Sequence, residues 1–135
     1  MRELLIDSSA FFAWWDHASE EGKQIASLIV DEQIPLVTTN FLFAETLSLV
    51  TKRLGKARGI EIGKTILTST VIRLAYLDEN IQREAWQIYQ KYKDKNFDFI
   101  DATSFALCHK RGIKEVLTLD RHFAQMGFKI FPEIG

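Results

Sequence analysis

Four short apolar runs, Leu4 to Ile6, Leu36 to Thr38, Val71 to Leu77 and Val116 to Leu119, are separated by stretches in which hydrophobic positions recur every three or four residues. Runs this short, apolar throughout rather than alternating, predict strands covered on both faces, and Lys129 to Phe131 is the candidate for a fifth. The clearest helix is Phe41 to Leu54, where Phe43, Leu47, Val50 and Leu54 make one apolar stripe that ends at Gly55. A second helix is predicted from Ile81 to about Lys93, capped by Asp78 or Asn80, with Ile81, Ala85, Ile88 and Tyr92 on one face. Glu20 to Asp31, Ile60 to Thr68 and Phe99 to Arg111 are further helical segments.

Strands alternating with helices imply right-handed crossovers and a mainly parallel sheet of four to five strands between helical layers, so the fold class is α/β. In such sheets ligands bind beyond the carboxyl ends of the strands, which directs attention to the residues that follow them. Two of these are aspartates: Asp7 after the first strand and Asp120 after Val116-Leu117-Thr118-Leu119.

Composition narrows the class without naming it. The 135 residues are 47% apolar and 26% charged, ordinary for a globular protein, and suit one domain spanning residues 1–135 that buries roughly two thirds of its unfolded surface. There is no repeat, and Pro35 and Pro132 are the only prolines, so no linker is evident. Seventeen basic residues balance eighteen acidic ones, and a nucleic-acid or membrane partner would have to be met by a local patch. The single cysteine, Cys108, excludes an internal disulfide and a cysteine metal site, and its apolar neighbours suggest a buried thiol in a reducing compartment. No apolar stretch approaches the roughly 18 residues of a membrane span, and the first residues are too short in apolar character for a signal peptide, so a cytoplasmic location is expected.

Each aspartate after a strand has a bland reading as a helix cap. Two more acids shift the balance. Glu45 lies three residues after Leu42 and four before Leu49, aligned with apolar positions rather than with Lys52 and Arg53. Asp101 opens a helix among Phe99, Ile100 and Ala102; Asp98 at the N-cap with Asp101 three residues into the helix is a capping arrangement that accounts for Asp98 but does not exhaust Asp101. Carboxylates converging at one sheet edge repel by about 4 kcal/mol per close pair at an effective dielectric near 20, and need cations to persist. His17, His109 and His122 show no zinc-type spacing, so an all-oxygen site favours Mg²⁺ or Mn²⁺.

Taken in order, the Asp7-Ser8-Ser9 start, the helix entry from Thr39-Asn40 to Glu45, Phe99-Ile100-Asp101-Ala102, and Thr118-Leu119-Asp120-Arg121-His122-Phe123 followed by Gly127-Phe128 resemble the PIN domain, and within it the VapC-type toxin ribonucleases. The resemblance covers nearly the whole chain. It implies that Asp7, Glu45, Asp101 and Asp120 form a catalytic, metal-binding quartet, with Thr118 and Ser8 or Ser9 as polar neighbours and Asn40 as a further polar residue of the site. It also implies a metal-dependent endoribonuclease that dimerises and is inhibited by an antitoxin. Many relatives have serine where Asp98 stands.

Lys52, Arg53, Lys56, Arg58 and Lys64 could hold the RNA backbone or simply form a solvated helix end. Arg121 is a candidate phosphate contact; His122 either joins it or bonds the backbone. Trp14 and Trp15, about 100° apart on a helix, cannot both point into the core, and one of them is expected to be partly exposed as a partner surface or as amphipathic cover. Two other readings stay open: a PIN nuclease of RNA processing without an antitoxin, and a Mg²⁺-binding phosphoacceptor module. The second is disfavoured because it wants paired early acids and a late lysine where this chain has Ser8 and Asp120.

Overall fold

In the computed structural model, which describes residues 2–16 and 19–133, the apolar runs assemble into one sheet. Its strands are β1 (Leu4–Ile6), β2 (Leu36–Thr39), β3 (Ile72–Ala75), β4 (Glu115–Leu117) and β5 (Lys129–Phe131), ordered β3-β2-β1-β4-β5 with every neighbouring pair parallel. Among the described residues seven helices connect and cover them: α1 (Ser8–Asp16), α2 (Glu20–Val30), α3 (Asn40–Leu54), α4 (Lys56–Thr68), α5 (Glu79–Lys91), α6 (Phe99–Arg111) and α7 (His122–Gln125). His17 lies outside the described residues.

Because side chains alternate along a strand, each central strand feeds two cores. Leu5, Val37 and Val116 pack with Ile81, Ala85 and Ile88 of α5, Phe105 of α6 and Phe123 of α7. Leu4, Ile6, Leu36 and Leu117 pack on the opposite side with Phe11 of α1, Ile25 of α2 and Ile62 and Ile66 of α4. The predicted α/β sandwich is therefore borne out. Coverage on both faces holds for β1 and β2, whose residues are all buried, β2 ending in the threonines Thr38 and Thr39; the edge strands β3 and β5 expose part of theirs, since each has a neighbour on one side only.

The predicted helix Phe99 to Arg111 is observed with those bounds. Asp98 and Asp101 make a reciprocal capping box at its start, and Gly112 closes it in the left-handed conformation behind the basic turn His109, Lys110 and Arg111. Everything from Ala102 to Cys108 is buried, so this helix threads the interior and burial pushes the Cys108 thiol up to about 12. Other boundaries move. The strand expected over Val71 to Leu77 is only Ile72–Ala75, because the Leu77 N–H leaves the ladder for Asn40 Oδ1 at 2.9 Å. The run Val116 to Leu119 stops pairing early: the strand is Glu115–Leu117 and the Leu119 N–H is taken by Ser9 Oγ at 2.9 Å. Helix α4 begins at Lys56, four residues before the expected Ile60, since Gly55 at φ 97° turns the chain directly from α3 into α4. The buried stripe of α3 is Leu42, Thr46 and Val50, while Phe43 and Leu47 face Gly63 on α4. Trp14 and Trp15 are both half-buried, edge to face at 5.5 Å.

Phe105 is fully buried among Phe97, Phe123 and Phe128, with ring centroids 5.0 to 5.8 Å away. Phe105→Ala is expected to lower unfolding stability by about 3–5 kcal/mol in urea titrations, far more than an exposed substitution would.

Candidate active site

Beyond the carboxyl end of the sheet, the connection leaving β1 runs to β2 on one side and that leaving its neighbour β4 runs to β5 on the other, and the crevice at such a switch point is where α/β sheets bind ligands. A cavity of about 290 Å³ opens there, lined by Asp7, Ser8, Ser9, Glu45, Leu49, Asp98, Asp101 and Asp120. All four acids singled out by the sequence line it. They arrive from four places: the end of β1, the second turn of α3, the first turn of α6 and the loop after β4.

Asp7 is the fixed member. Only 4% exposed, it accepts hydrogen bonds from Thr118 Oγ1 and Ser9 Oγ (3.1 Å) at Oδ2 and lies 3.2 Å from Ser8 Oγ at Oδ1. Its side chain is thus turned to hydroxyls; α1 is begun by its backbone carbonyl, which accepts from Ala10 and Phe11 N–H. Ser8 Oγ also donates to Glu45 Oε1, so one serine lies between two carboxylates. Thr118 Oγ1 accepts the Asp120 N–H at 2.9 Å and ties the fourth acid to the same network. Ser8, Ser9 and Thr118 are thus the hydroxyls around Asp7. Asp120 Oδ1 accepts the N–H of His122, the first residue of α7, at 2.9 Å, although the N-cap position of that helix is Arg121.

Burial and mutual repulsion raise the proton affinity of this cluster. Desolvation is the main cause for Asp7, Glu45 and Asp101; neighbouring acids add to it, and Asp101 is pushed up to about 7. Asp98 caps α6 and adds negative charge beside both Glu45 and Asp101.

Three further candidates take the following places. The His122 ring faces two carboxylates: Nδ1 is 3.3 Å from Asp101 Oδ2 and 3.1 Å from Asp120 Oδ1. Ligand atoms of Asp101, Asp120 and His122 all lie within 4.8 Å of one another, so a nitrogen joins what was read as an all-oxygen set. Its adjacency to Asp120 is visible in the sequence, but where the first ring of a four-residue helix points is not. Arg121 is exposed and lines a separate shallow depression with Ala124, Gln125 and Ile130. Asn40 spends its oxygen on Leu77 N–H, anchoring α3 to the loop after β3, and faces a neighbouring depression beside Glu45 rather than the acid cavity. The five cations are exposed on α3 and α4; Arg53 lies over the Phe12 ring at 5.7 Å.

A donor set of carboxylates and one imidazole, crowded until protonation is favoured, suits a divalent cation. The site and fold place the chain in a known class: it belongs to the PIN domain family, whose model matches residues 4–129. It is 30% identical over 132 residues to the 23S rRNA-specific endonuclease VapC20 of Mycobacterium tuberculosis, spanning 96% of this chain and 99% of that one. It is 27% identical over 124 residues to ribonuclease VapC26 of the same organism, 91% of each chain. The crystal structure of VapC20, described as a sarcin-ricin loop cleaving toxin, superposes with a TM-score of 0.85 over 93% of this chain and 95% of that one at 25% identity. DNA-bound VapBC from Salmonella typhimurium shares the fold, with a TM-score of 0.71 at 14% identity over 96% and 97% of the two chains.

In the cation-free chain the folded state holds a proton on Asp101 up to about pH 7, whereas the unfolded chain releases it near 3.8. Stability contributed by this group is therefore present at about pH 4 and is lost as pH rises towards 7. Thermal unfolding in chelator should show that decline in the parent and a flatter profile for Asp101→Asn; parallel profiles would contradict the raised carboxyl.

Proposed function

We propose that this chain is a metal-dependent endoribonuclease, the toxin of a type II toxin–antitoxin pair, and that residues 1–135 act as one domain. The observation that carries the reading is the convergence of Asp7, Glu45, Asp101 and Asp120 on one cavity at the switch point. Membership of the PIN family and likeness to named ribonucleases support it.

In this reading Asp7, Glu45, Asp101 and Asp120 hold Mg²⁺ or Mn²⁺, with His122 beside the last two. When bound, the cation neutralises the carboxylates and lowers the pKa of water for in-line attack on a phosphodiester. The protein supplies placement. Asp7 is immobilised by burial and three hydroxyls, and it sets the depth at which the other acids gather. Asp101 or Asp120 accepts the proton of the attacking water; both touch His122 Nδ1, whose side chain is 29% exposed and gives that proton a way out. Lys64 lies on α4, which runs back along α3 so that Gly63 meets Leu47 and Phe43, and so returns a cation to the level of Glu45. With Lys52, Arg53, Lys56 and Arg58 it would hold the RNA backbone.

An antitoxin partner is supported by the VapBC structures that share this fold, and the half-buried Trp14–Trp15 pair offers it or a second copy an aromatic surface. Among the described residues no helix is long and apolar enough to cross a membrane.

The test is Mn²⁺ titration of the purified chain against structured and single-stranded RNAs, including a fragment of 23S rRNA. Asp7→Asn should keep the fold by circular dichroism and lose cleavage by at least about a hundredfold. Retained cleavage by that variant, or activity indifferent to chelator, refutes the reading.

A further inference from the structure

Helix α5 carries two apolar stripes where docking on the sheet needs one. Ile81, Ala85 and Ile88 are buried in the core, whereas Trp86 and Tyr89 stand on another face at 52% and 43% exposure. Isolated exposed aromatics are commonplace, but these two are stacked on each other, with centroids 5.9 Å apart and planes 28° apart. They border a cavity of about 370 Å³ that Tyr92, Lys93, Lys95 and Phe97 complete. Lys91, Lys93 and Lys95 follow in close succession with Asp94 as the one intervening acid, and none of the three lysines makes an ion pair among the described residues. Aromatic faces beside unneutralised cations are what a flexible, unpaired nucleic-acid strand requires: bases stack on the rings and phosphates meet the ammonium groups.

The patch adjoins the start of α6, where two of the cavity's acids stand. Tyr89 contacts Phe99 edge to face at 6.0 Å; Phe99 is the first residue of α6, next to Asp98 and two before Asp101. We propose that Trp86 and Tyr89, with Lys93 and Lys95, form a stacking platform for a single-stranded RNA segment flanking the bond to be cut. The proposal rests on the RNA-cleaving reading above for the identity of its ligand. Charge favours RNA over a second copy of the chain, because a two-fold contact through this face would bring its lysines together.

The test measures binding of a fluorescein-labelled single-stranded RNA of about 12 nucleotides, in chelator, to the full chain and its variants. Trp86→Ala with Tyr89→Ala should weaken binding by at least about fivefold, the loss expected for one stacked base. Trp86→Phe with Tyr89→Phe should restore most of it, and thermal melts should match the parent because both side chains are exposed. Lys93→Gln with Lys95→Gln should reduce the salt slope of log Kd by about 1.4. Equal affinity in parent and alanine variant overturns the platform and leaves the nuclease reading standing. So does a change in sedimentation with unchanged RNA affinity, which would make the face a contact between copies. If the parent binds no RNA, the platform falls, and the nuclease reading stands or falls separately by the Mn²⁺ cleavage assay. Binding that tracks the aromatic variants without cleavage by the parent supports the platform and sinks only the nuclease reading.

Discussion

Asp7 is the constraint around which the rest of this molecule is arranged. A carboxylate at the end of a central strand, almost without solvent, is costly unless its oxygens are hydrogen-bonded. Three hydroxyls meet that requirement, and each also does something else: Ser8 reaches Glu45, Ser9 takes the Leu119 N–H and Thr118 takes the Asp120 N–H. The network that makes one buried acid tolerable therefore fixes the loop after β4 and reaches the second turn of α3. Positioning of the site and satisfaction of its polar groups are the same set of bonds.

The remaining tension is charge. Hydroxyls can orient carboxylates but cannot neutralise them, and the upward displacement of Asp7, Glu45 and Asp101 records what is left uncompensated. Asp101 stands at the junction, since one of its oxygens also accepts the Asp98 N–H in the capping box. The same carboxyl thereby begins a helix whose residues from Ala102 to Cys108 are all buried and also faces the cavity, so that the placement of this acid and the packing of the core share an origin in α6.

Much of this was legible because the signals were local. The bounds of α6 follow from Asp98, the basic last turn and Gly112, all adjacent in the chain. The quartet was legible because each acid stands just after a strand or among apolar helical positions. What escaped depended on distant partners. Strand ends at Ala75 and Leu117 are set by Asn40 and Ser9, residues far away in sequence that capture the Leu77 and Leu119 N–H groups. Helix α7 has four residues, too few for any period to show, and with it went the direction of the His122 ring. Arg121 and Asn40 are polar and close to the motifs in sequence, yet closeness along the chain carried no information about which way they face.

One contact closes the account. Asp7 and Thr118 are bonded across 111 positions, and β4 is the strand that brings them together by lying against β1. Until β4 has emerged from the ribosome, a nascent chain has neither Thr118, which steadies Asp7, nor Asp120. The acid cluster is therefore a late product of synthesis, assembled only once β4 can lie against β1.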